Sequence, residues 1–379
     1  MQKKIVYCTP SLYIPGGVER VLTTKANYLA DVAGYDIYIV LTDGKGKGPY
    51  YHLSPKVKII QLDINFEELW HLSFLKKILV YLQKQRIYKK RLTSTLLSLK
   101  PDITVSLLRR EINFLTSIKD GSKKVGEIHV NRDHYRNFEK GGFIKNLFAS
   151  WWQKQLLNQL NRLDKFIVLT EDDCKSWKEL EKKEVIPNPL AFFPEKSSSL
   201  NNKQIISVGR FSYEKGFDSL IKVWELVAKK HPEWILKIYG SGNEENLTPL
   251  ILQANMGKTI IPQKPTSQIY EAYQESSIYI CSSRFEGFGM TLIEAMSCGV
   301  PCISFDCPNG PAELITHGED GLLVPLGDIE KLAESIEWMI THEEERLRMS
   351  NNARLKAKQY TAETIMPQWV ELFEKVAKQ

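Results

Sequence analysis

No run of 18 apolar residues occurs anywhere in the 379-residue chain, which argues against a helix that crosses a bilayer by itself. The opening Met1-Gln2-Lys3-Lys4-Ile5-Val6-Tyr7 passes from two lysines directly into a strand-like segment. It lacks the apolar stretch and small-residue cleavage site of a secretory leader, so a cytoplasmic protein is expected. Cysteine is sparse, with six residues at 8, 174, 281, 298, 302 and 307, mostly in or beside apolar segments. That usage reads as buried small hydrophobes in a reducing compartment. Cys298 and Cys302 do not form a Cys-x-x-Cys pair and have no histidine at ligand spacing, which argues against zinc. No Asp-x-Asp triplet is present to carry a divalent ion, and no repeat of 20 to 50 residues points to a solenoid.

What is present is an ordinary globular balance, 43% hydrophobic and 25% charged residues, long enough for two domains. The net charge of +6 is unevenly spread: 32 Lys and Arg against 20 Asp and Glu up to residue 185, and 19 against 25 after it. A basic first half suggests that one part of the chain faces an anionic partner. No recognised nucleic-acid module accompanies that charge, so nucleic acid is not the expected partner.

Along the chain, Ile5 to Pro10, Tyr35 to Leu41 and Val57 to Leu62 read as strands, with a helical period over Val18 to Ala30. A long helix is expected over 69 to 97, and further strands over Asp102 to Leu107, Lys124 to Val130 and Lys165 to Thr170. Thr170-Glu171-Asp172-Asp173 reads as a capped helix start. The segment 76 to 91, KKILVYLQKQRIYKKR, carries seven basic residues and no acid, with Ile78, Leu79, Leu82 and Ile87 interleaved. It is either a solvated helix packed by its apolar side or a basic face resting on acidic lipid headgroups. Ile186-Pro187-Asn188-Pro189 and the polar segment after it place a boundary at about 186 to 203. Strand and helix signals then alternate again from Ile205 onward, ending in helices at 328 to 341 and about 361 to 377. This alternation describes parallel sheets covered by helices.

Three places can carry chemistry. Gly16-Gly17 lie between a strand and a helix, where backbone N–H groups can receive an anion, although this is not a dinucleotide fingerprint. Arg210 and Lys215 follow the first strand of the second half, at the carboxyl end where α/β sheets place ligands. Two cations there could neutralise charge on a departing diphosphate. The third is Glu286-Gly287-Phe288-Gly289-Met290-Thr291-Leu292-Ile293-Glu294. Glu286 sits in a glycine loop, and the backbone N–H groups of Phe288, Gly289 and Met290 lie at a helix start. Glu294, on an otherwise apolar helix, requires solvent or hydrogen bonds, and a vicinal diol such as a ribose could supply them. A helix cap with a partly exposed glutamate is the plainer alternative.

These motifs resemble the retaining glycosyltransferases of family 4, and the resemblance is firmest over 203 to 325. It continues through Asp306-Cys307-Pro308-Asn309-Gly310-Pro311-Ala312-Glu313 and His317 to Pro325. The resemblance implies a GT-B fold, two Rossmann-like αβα domains facing each other across a cleft, here 1 to 187 and 203 to 355, with the 361 to 377 helix crossing back onto the first. It implies that Glu286 contacts the donor sugar, that Glu294 holds the ribose hydroxyls, that Arg210 and Lys215 bind the diphosphate, and that the Gly16-Gly17 loop closes over the phosphates. Phe288, Gly289, Met290 and Thr291 would line the donor site. A histidine after an N-domain strand often contacts the sugar in this family. His129 in Glu127-Ile128-His129-Val130-Asn131-Arg132-Asp133-His134 has the better position, and His134 is the alternative.

The expected activity is a metal-independent, retaining transfer of a hexose or N-acetylhexosamine from a nucleotide diphosphate sugar, UDP-linked by resemblance, with no other cofactor. The resemblance is nearest to the branch that extends lipid-linked bacterial surface glycans. Together with that branch, the basic first half favours a polyprenyl-diphosphate-linked acceptor, and the basic 76 to 91 segment suggests peripheral contact with an acidic membrane. A sugar-nucleotide epimerase of the same architecture and a non-catalytic nucleotide-sugar-binding protein are the competing readings.

Overall fold

The apolar runs become parallel strands because helices cover them on both faces, so that neither face of a central strand has to be polar. The computed structural model describes residues 2–135, 143–242 and 244–378. Two units divide the chain, Met1–Pro189 with Ile365–Gln379 and Leu190–Thr364.

Unit 1 runs β1 (Lys4–Thr9), α1 (Gly17–Asp31), β2 (Asp36–Leu41), β3 (Lys58–Gln61), α2 (Phe74–Leu99), β4 (Ile103–Ser106), β5 (Lys123–Glu127), α3 (Phe143–Asn161), β6 (Lys165–Val168), α4 (Glu171–Ser176) and β7 (Lys183–Val185). Its sheet has the order β3-β2-β1-β4-β5-β6-β7, and every pairing is parallel. Unit 2 runs β8 (Gln204–Val208), α5 (Phe217–Lys230), β9 (Ile235–Tyr239), α6 (Glu244–Gln253), β10 (Ile260–Gln263), α7 (Ile269–Gln274), β11 (Ile278–Cys281), α8 (Met290–Ser297), β12 (Cys302–Asp306), α9 (Pro311–Leu314), β13 (Gly321–Pro325), α10 (Ile329–Thr341) and α11 (Glu343–Ala357). Its sheet order is β10-β9-β8-β11-β12-β13, again all parallel. The direction of strand addition reverses between β1 and β4 in one sheet and between β8 and β11 in the other. Loops at the carboxyl ends of strands flanking such a reversal form a crevice. The Gly16 loop, the Arg210 loop and the Glu286 loop all leave strands of this kind.

Helix α5 shows how the pattern makes the core. Leu220, Ile221, Val223, Trp224 and Val227 are buried, while Lys222, Glu225, Lys229 and Lys230 stay outside that set. Trp224 is fully buried, its indole N–H donating to Thr259 Oγ1 at 3.0 Å. Truncating it to alanine removes contacts worth about 3–5 kcal/mol. The last helix, α12 (Ala362–Lys378), buries Trp369, Leu372, Phe373 and Val376, and Glu374 accepts from Lys3 and Tyr35 at 2.8 and 3.0 Å.

Several local expectations change. The helix read over 69 to 97 is two elements, a 3-10 turn at Phe66–His71 and α2 from Phe74. In α2 the packing face is Tyr88, Leu92 and Leu96, with Tyr88 edge-on to Phe114 at 5.2 Å. Ile78, Leu79, Leu82 and Ile87 are exposed instead. Two of the seven basic residues are engaged by loop carbonyls. Lys84 donates to the carbonyls of Ile64 and Asn65 and to Glu68, and Arg91 donates to the carbonyls of Leu62 and Asp63. These bonds tie the 62–68 loop to the helix. Helix α11 was not legible because its buried face includes Ser350, Ala353 and Ala357 beside Met349, small residues that carry little apolar signal. Thr170 caps α4 through its side chain, accepting from the Asp173 N–H at 3.1 Å.

Candidate active site

In unit 2, local backbone chemistry brings Lys215 to Glu286. Strand β8 ends at Val208, and Gly209, Arg210 and a 3-10 turn at Tyr213–Lys215 lead into Gly216. Gly216 has φ +62°, and a Cβ there would lie 2.1 Å from the Ser282 carbonyl oxygen. Only glycine permits that approach. The two loops are then stitched together: Ser282 Oγ donates to the Lys215 carbonyl at 2.8 Å, and Arg284 grips Asp218 with two bonds of 2.9 and 2.6 Å while stacking over Tyr213.

The result is a charged triad. Lys215 Nζ donates to Glu286 Oε1 at 2.7 Å, and Ser283 Oγ donates to the same oxygen at 2.6 Å. Neither bond is made to Oε2. Burial works against the Lys215 charge, yet the Glu286 carboxylate outweighs it and holds the ammonium above the usual lysine range. Lys215 is therefore a cation throughout the physiological range. Arg210 is far more open, with 69% of its side chain exposed, and pairs with Glu214 at 2.8 Å. An exposed pair of this kind is worth little, so the guanidinium can exchange Glu214 for an anion at low cost.

Beside the triad begins α8. Gly289 precedes it at φ +95°, where a Cβ would lie 3.1 Å from Leu292 and Leu314 carbon atoms. The first turn contains no acidic residue and Gly289 offers no side-chain cap. Free N–H groups of this kind receive anions well. Glu294 is 3% exposed and accepts from Tyr273 Oη at 3.3 Å, so its carboxylate is hydrogen-bonded within the protein rather than solvated. Thr291 Oγ1 accepts from Tyr279 at 2.7 Å and keeps its own proton to donate. Phe288 differs from the rest. Its ring is buried edge-on to Tyr360 at 5.8 Å, so it serves the core and only its backbone is left for a ligand.

In unit 1, Gly16 caps α1, and Glu19 already lies over it: a Cβ on Gly16 would be 2.1 Å from Glu19 Oε2. The anion at this helix start is thus a side chain of the first turn, which a phosphate would have to displace. Gly17, with open space where a Cβ would stand, begins the helix. His129 lies two residues beyond β5, its Nε2 3.3 Å from Glu127 Oε1. Glu127 Oε2 in turn accepts from Lys25 at 2.5 Å, and both charged side chains are 1% exposed. Burial pushes Lys25 down to about 8 against the pull of Glu127. At Glu127 burial acts upward, but Lys25 and then His129 outweigh it and hold the carboxyl down to about 2. At neutral pH both members are charged. His134 belongs to its own loop, its backbone and ring nitrogens bound to Asn131 Oδ1 at 3.0 and 2.7 Å.

Ser283, Arg284, Asp218, Tyr273, Lys25 and Glu127 were not singled out from the sequence. Ser283 and Arg284 had a signal, lying between the end of β11 and Glu286. Among the described residues no group of three or more His, Cys, Asp and Glu is arranged to hold a metal ion.

Two parallel sheets of this order, with a cationic loop and a glutamate loop at the carboxyl ends of β8 and β11, define a doubly wound α/β protein. Residues 191–356 match the family model described as glycosyl transferases group 1. An uncharacterized glycosyltransferase of Haemophilus influenzae is 32% identical over 375 residues, covering 97% of this chain and 99% of that one. The chain therefore belongs to the group 1 glycosyltransferase family. A poly(ribitol-phosphate) alpha-N-acetylglucosaminyltransferase of Staphylococcus aureus is 26% identical over 66% of this chain and 51% of its own length. Among solved structures, the pneumococcal O-GlcNAc transferase GtfA in complex with UDP and GlcNAc superposes with a TM-score of 0.77 at 14% identity, covering the whole of both chains. That likeness shows the fold, two Rossmann-like domains of the GT-B type.

Proposed function

We propose that this glycosyltransferase moves a hexose or N-acetylhexosamine from a UDP-sugar to a hydroxyl of a polyprenyl-diphosphate-linked glycan, with retention at the anomeric carbon and without a metal ion. The observation that carries the reading is the convergence of Lys215 and Ser283 on one oxygen of Glu286 beside the uncapped start of α8. Lys215 is fixed and charged, Arg210 is exchangeable, and helix-start N–H groups complete a preorganised set for a departing diphosphate. Glu286, locked through Oε1, offers Oε2 to a sugar hydroxyl. Glu294 takes the ribose hydroxyls, with Tyr273 setting its orientation.

Retention fits a front-face attack, in which a donor phosphate oxygen takes the acceptor proton while His129 orients the sugar. Positioning and electrostatics then supply the acceleration. A double displacement would require a second carboxylate near the sugar beside Glu286, and Glu294, the other carboxylate of this motif, accepts from Tyr273 and is assigned to the ribose. The choice of uridine is supported by the GtfA complex with UDP. The lipid-linked acceptor is supported by the basic first half and by the exposed apolar and basic residues of α2. We place the protein at the cytoplasmic face of the membrane on the same grounds.

The test is transfer by the purified protein from a panel of nucleotide sugars to a polyprenyl-diphosphate sugar, followed by mass spectrometry and anomeric NMR, with and without EDTA. Transfer from a single UDP-sugar with its configuration kept and no response to EDTA is expected. An epimerised donor would move the assignment to the epimerase class, and donor binding without turnover would make the protein a binding module.

A further inference from the structure

Lysine is among the residues least often buried, and an ammonium in the interior persists only where a partner compensates it. Lys25 lies on the apolar stripe of α1 between Val21, Leu22, Ala26 and Leu29, all buried with it. It is covered from α12 by Trp369, whose ring centroid is 3.2 Å from Nζ, and faces Tyr7 of β1 at 5.8 Å. The neighbouring β1 and α1 and the distant α12 therefore enclose one cation, whose carboxylate partner, Glu127, ends β5. The second oxygen of that carboxylate, Oε1, is buried and makes no well-formed hydrogen bond among the described residues. The nitrogen facing it is Nε2 of His129, at 3.3 Å.

We propose that Lys25 and Glu127 are positioning residues for His129: the carboxylate, pinned by Lys25, holds the imidazole with its Nε2–H directed into the protein, so that Nδ1 is the nitrogen offered to a substrate hydroxyl. An ionised carboxylate can only accept, and the nitrogen a histidine presents to its ligand is set by what its other nitrogen binds. Nδ1 then acts as an acceptor for a hydroxyl proton, not as a donor to the sugar. The ammonium's part is to keep Glu127 ionised and in place, and Trp369 makes the pocket of Lys25 depend on the last helix. The substrate half of this inference rests on the function proposed above; the tautomer half does not.

The full-length protein labelled with 15N-histidine tests it. Long-range 1H–15N correlation at neutral pH, with His129→Gln to assign the signals, is expected to show a downfield Nε2–H proton and an unprotonated Nδ1. In the variant Lys25→Met/Glu127→Met both buried charges go together, so none is left unpaired and the fold should persist; an unchanged far-UV spectrum and thermal midpoint check this. That proton is expected to vanish from the double variant, and kcat for transfer to fall about tenfold or more with donor KM within about twofold. A protonated Nδ1 with bare Nε2 in the native protein, or a downfield proton that survives in the folded double variant, overturns the relay. Wild-type kcat in the folded double variant overturns the positioning role. Should the native protein transfer no sugar at all, the function falls while the spectra still decide the relay.

Discussion

The two units handle buried charge in opposite ways. In unit 2 the triad of Lys215, Ser283 and Glu286 lies beside a helix start, with an exposed arginine nearby, and the partners of each charge are set by loop glycines. In unit 1 the ion pair of Lys25 and Glu127 is sealed between helices and strand, both side chains 1% exposed, with His129, its side chain 6% exposed, against the carboxylate. The first arrangement suits a charge that arrives and leaves with a ligand. The second suits a fixed field that never exchanges. The contrast teaches that an ion pair's function depends less on its distance, 2.7 against 2.5 Å, than on which of its atoms remain available.

The largest effect should come from removing the fixed cation of unit 2. Lys215→Ala is expected to lower kcat by about a hundredfold to a thousandfold, the usual cost of losing one preorganised stabiliser of a developing negative charge. Steady-state kinetics with saturating donor reads it, and a near-native kcat would remove Lys215 from the leaving-group set. Glu294→Ala comes next. Losing charged hydrogen bonds to a ribose should weaken donor binding by about tenfold or more, measured by titration calorimetry with the nucleotide alone; unchanged affinity would leave Glu294 as a structural acceptor for Tyr273.

Acid sharpens the contrast from the side of unit 1. The Glu127 carboxyl is held from its ordinary 4.5 down to about 2. A carboxyl with a depressed native value contributes stability in full above its unfolded value, and that stability is lost as pH falls through the native one. Thermal midpoints of the native protein should therefore decline more steeply between about pH 4.5 and 2 than those of Lys25→Met/Glu127→Met, a differential on the order of 1–3 kcal/mol. Parallel curves would mean that the pair gives no pH-dependent stability.

How far the sequence could be read follows the same division. The Arg210 and Glu286 loops were legible because glycine, charge and the ends of apolar runs coincide in a few consecutive residues. Lys25 was not, although Val21, Lys25 and Leu29 share one helical face at a spacing of four. A lone lysine in Val21-Leu22-Thr23-Thr24-Lys25-Ala26 reads as the solvated side of an amphipathic helix, and only the C-terminal helix, some 340 positions later, closes over it. His129 was noticed in a stretch that begins at Glu127, yet the partner of that carboxylate, Lys25, lies 102 residues away, beyond what spacing can show. Gly16-Gly17 was read as an anion site from its glycines alone, and the nearness of Glu19 Oε2 to Gly16 was not part of that reading.

The smallest effect concerns the outer surface of unit 1, where the seven basic residues of 76 to 91 looked equivalent in sequence. In the fold they are not. Lys84 has 13% of its side chain exposed and is spent on Ile64, Asn65 and Glu68, whereas Arg86, Lys89 and Lys90 are exposed next to Leu82 and Ile87. If α2 rests on an acidic membrane, Arg86→Gln and Lys89→Gln should each weaken partitioning onto phosphatidylserine vesicles by about fivefold, the equivalent of about 1 kcal/mol per surface cation. Lys84→Gln should leave partitioning unchanged and instead lower the thermal midpoint, because the 62–68 loop loses its tether. Equal losses from all three in vesicle sedimentation would mean that net charge alone drives binding. No loss from Arg86→Gln or Lys89→Gln would make α2 an ordinary solvated helix, and the acceptor would then have to be sought among soluble glycans.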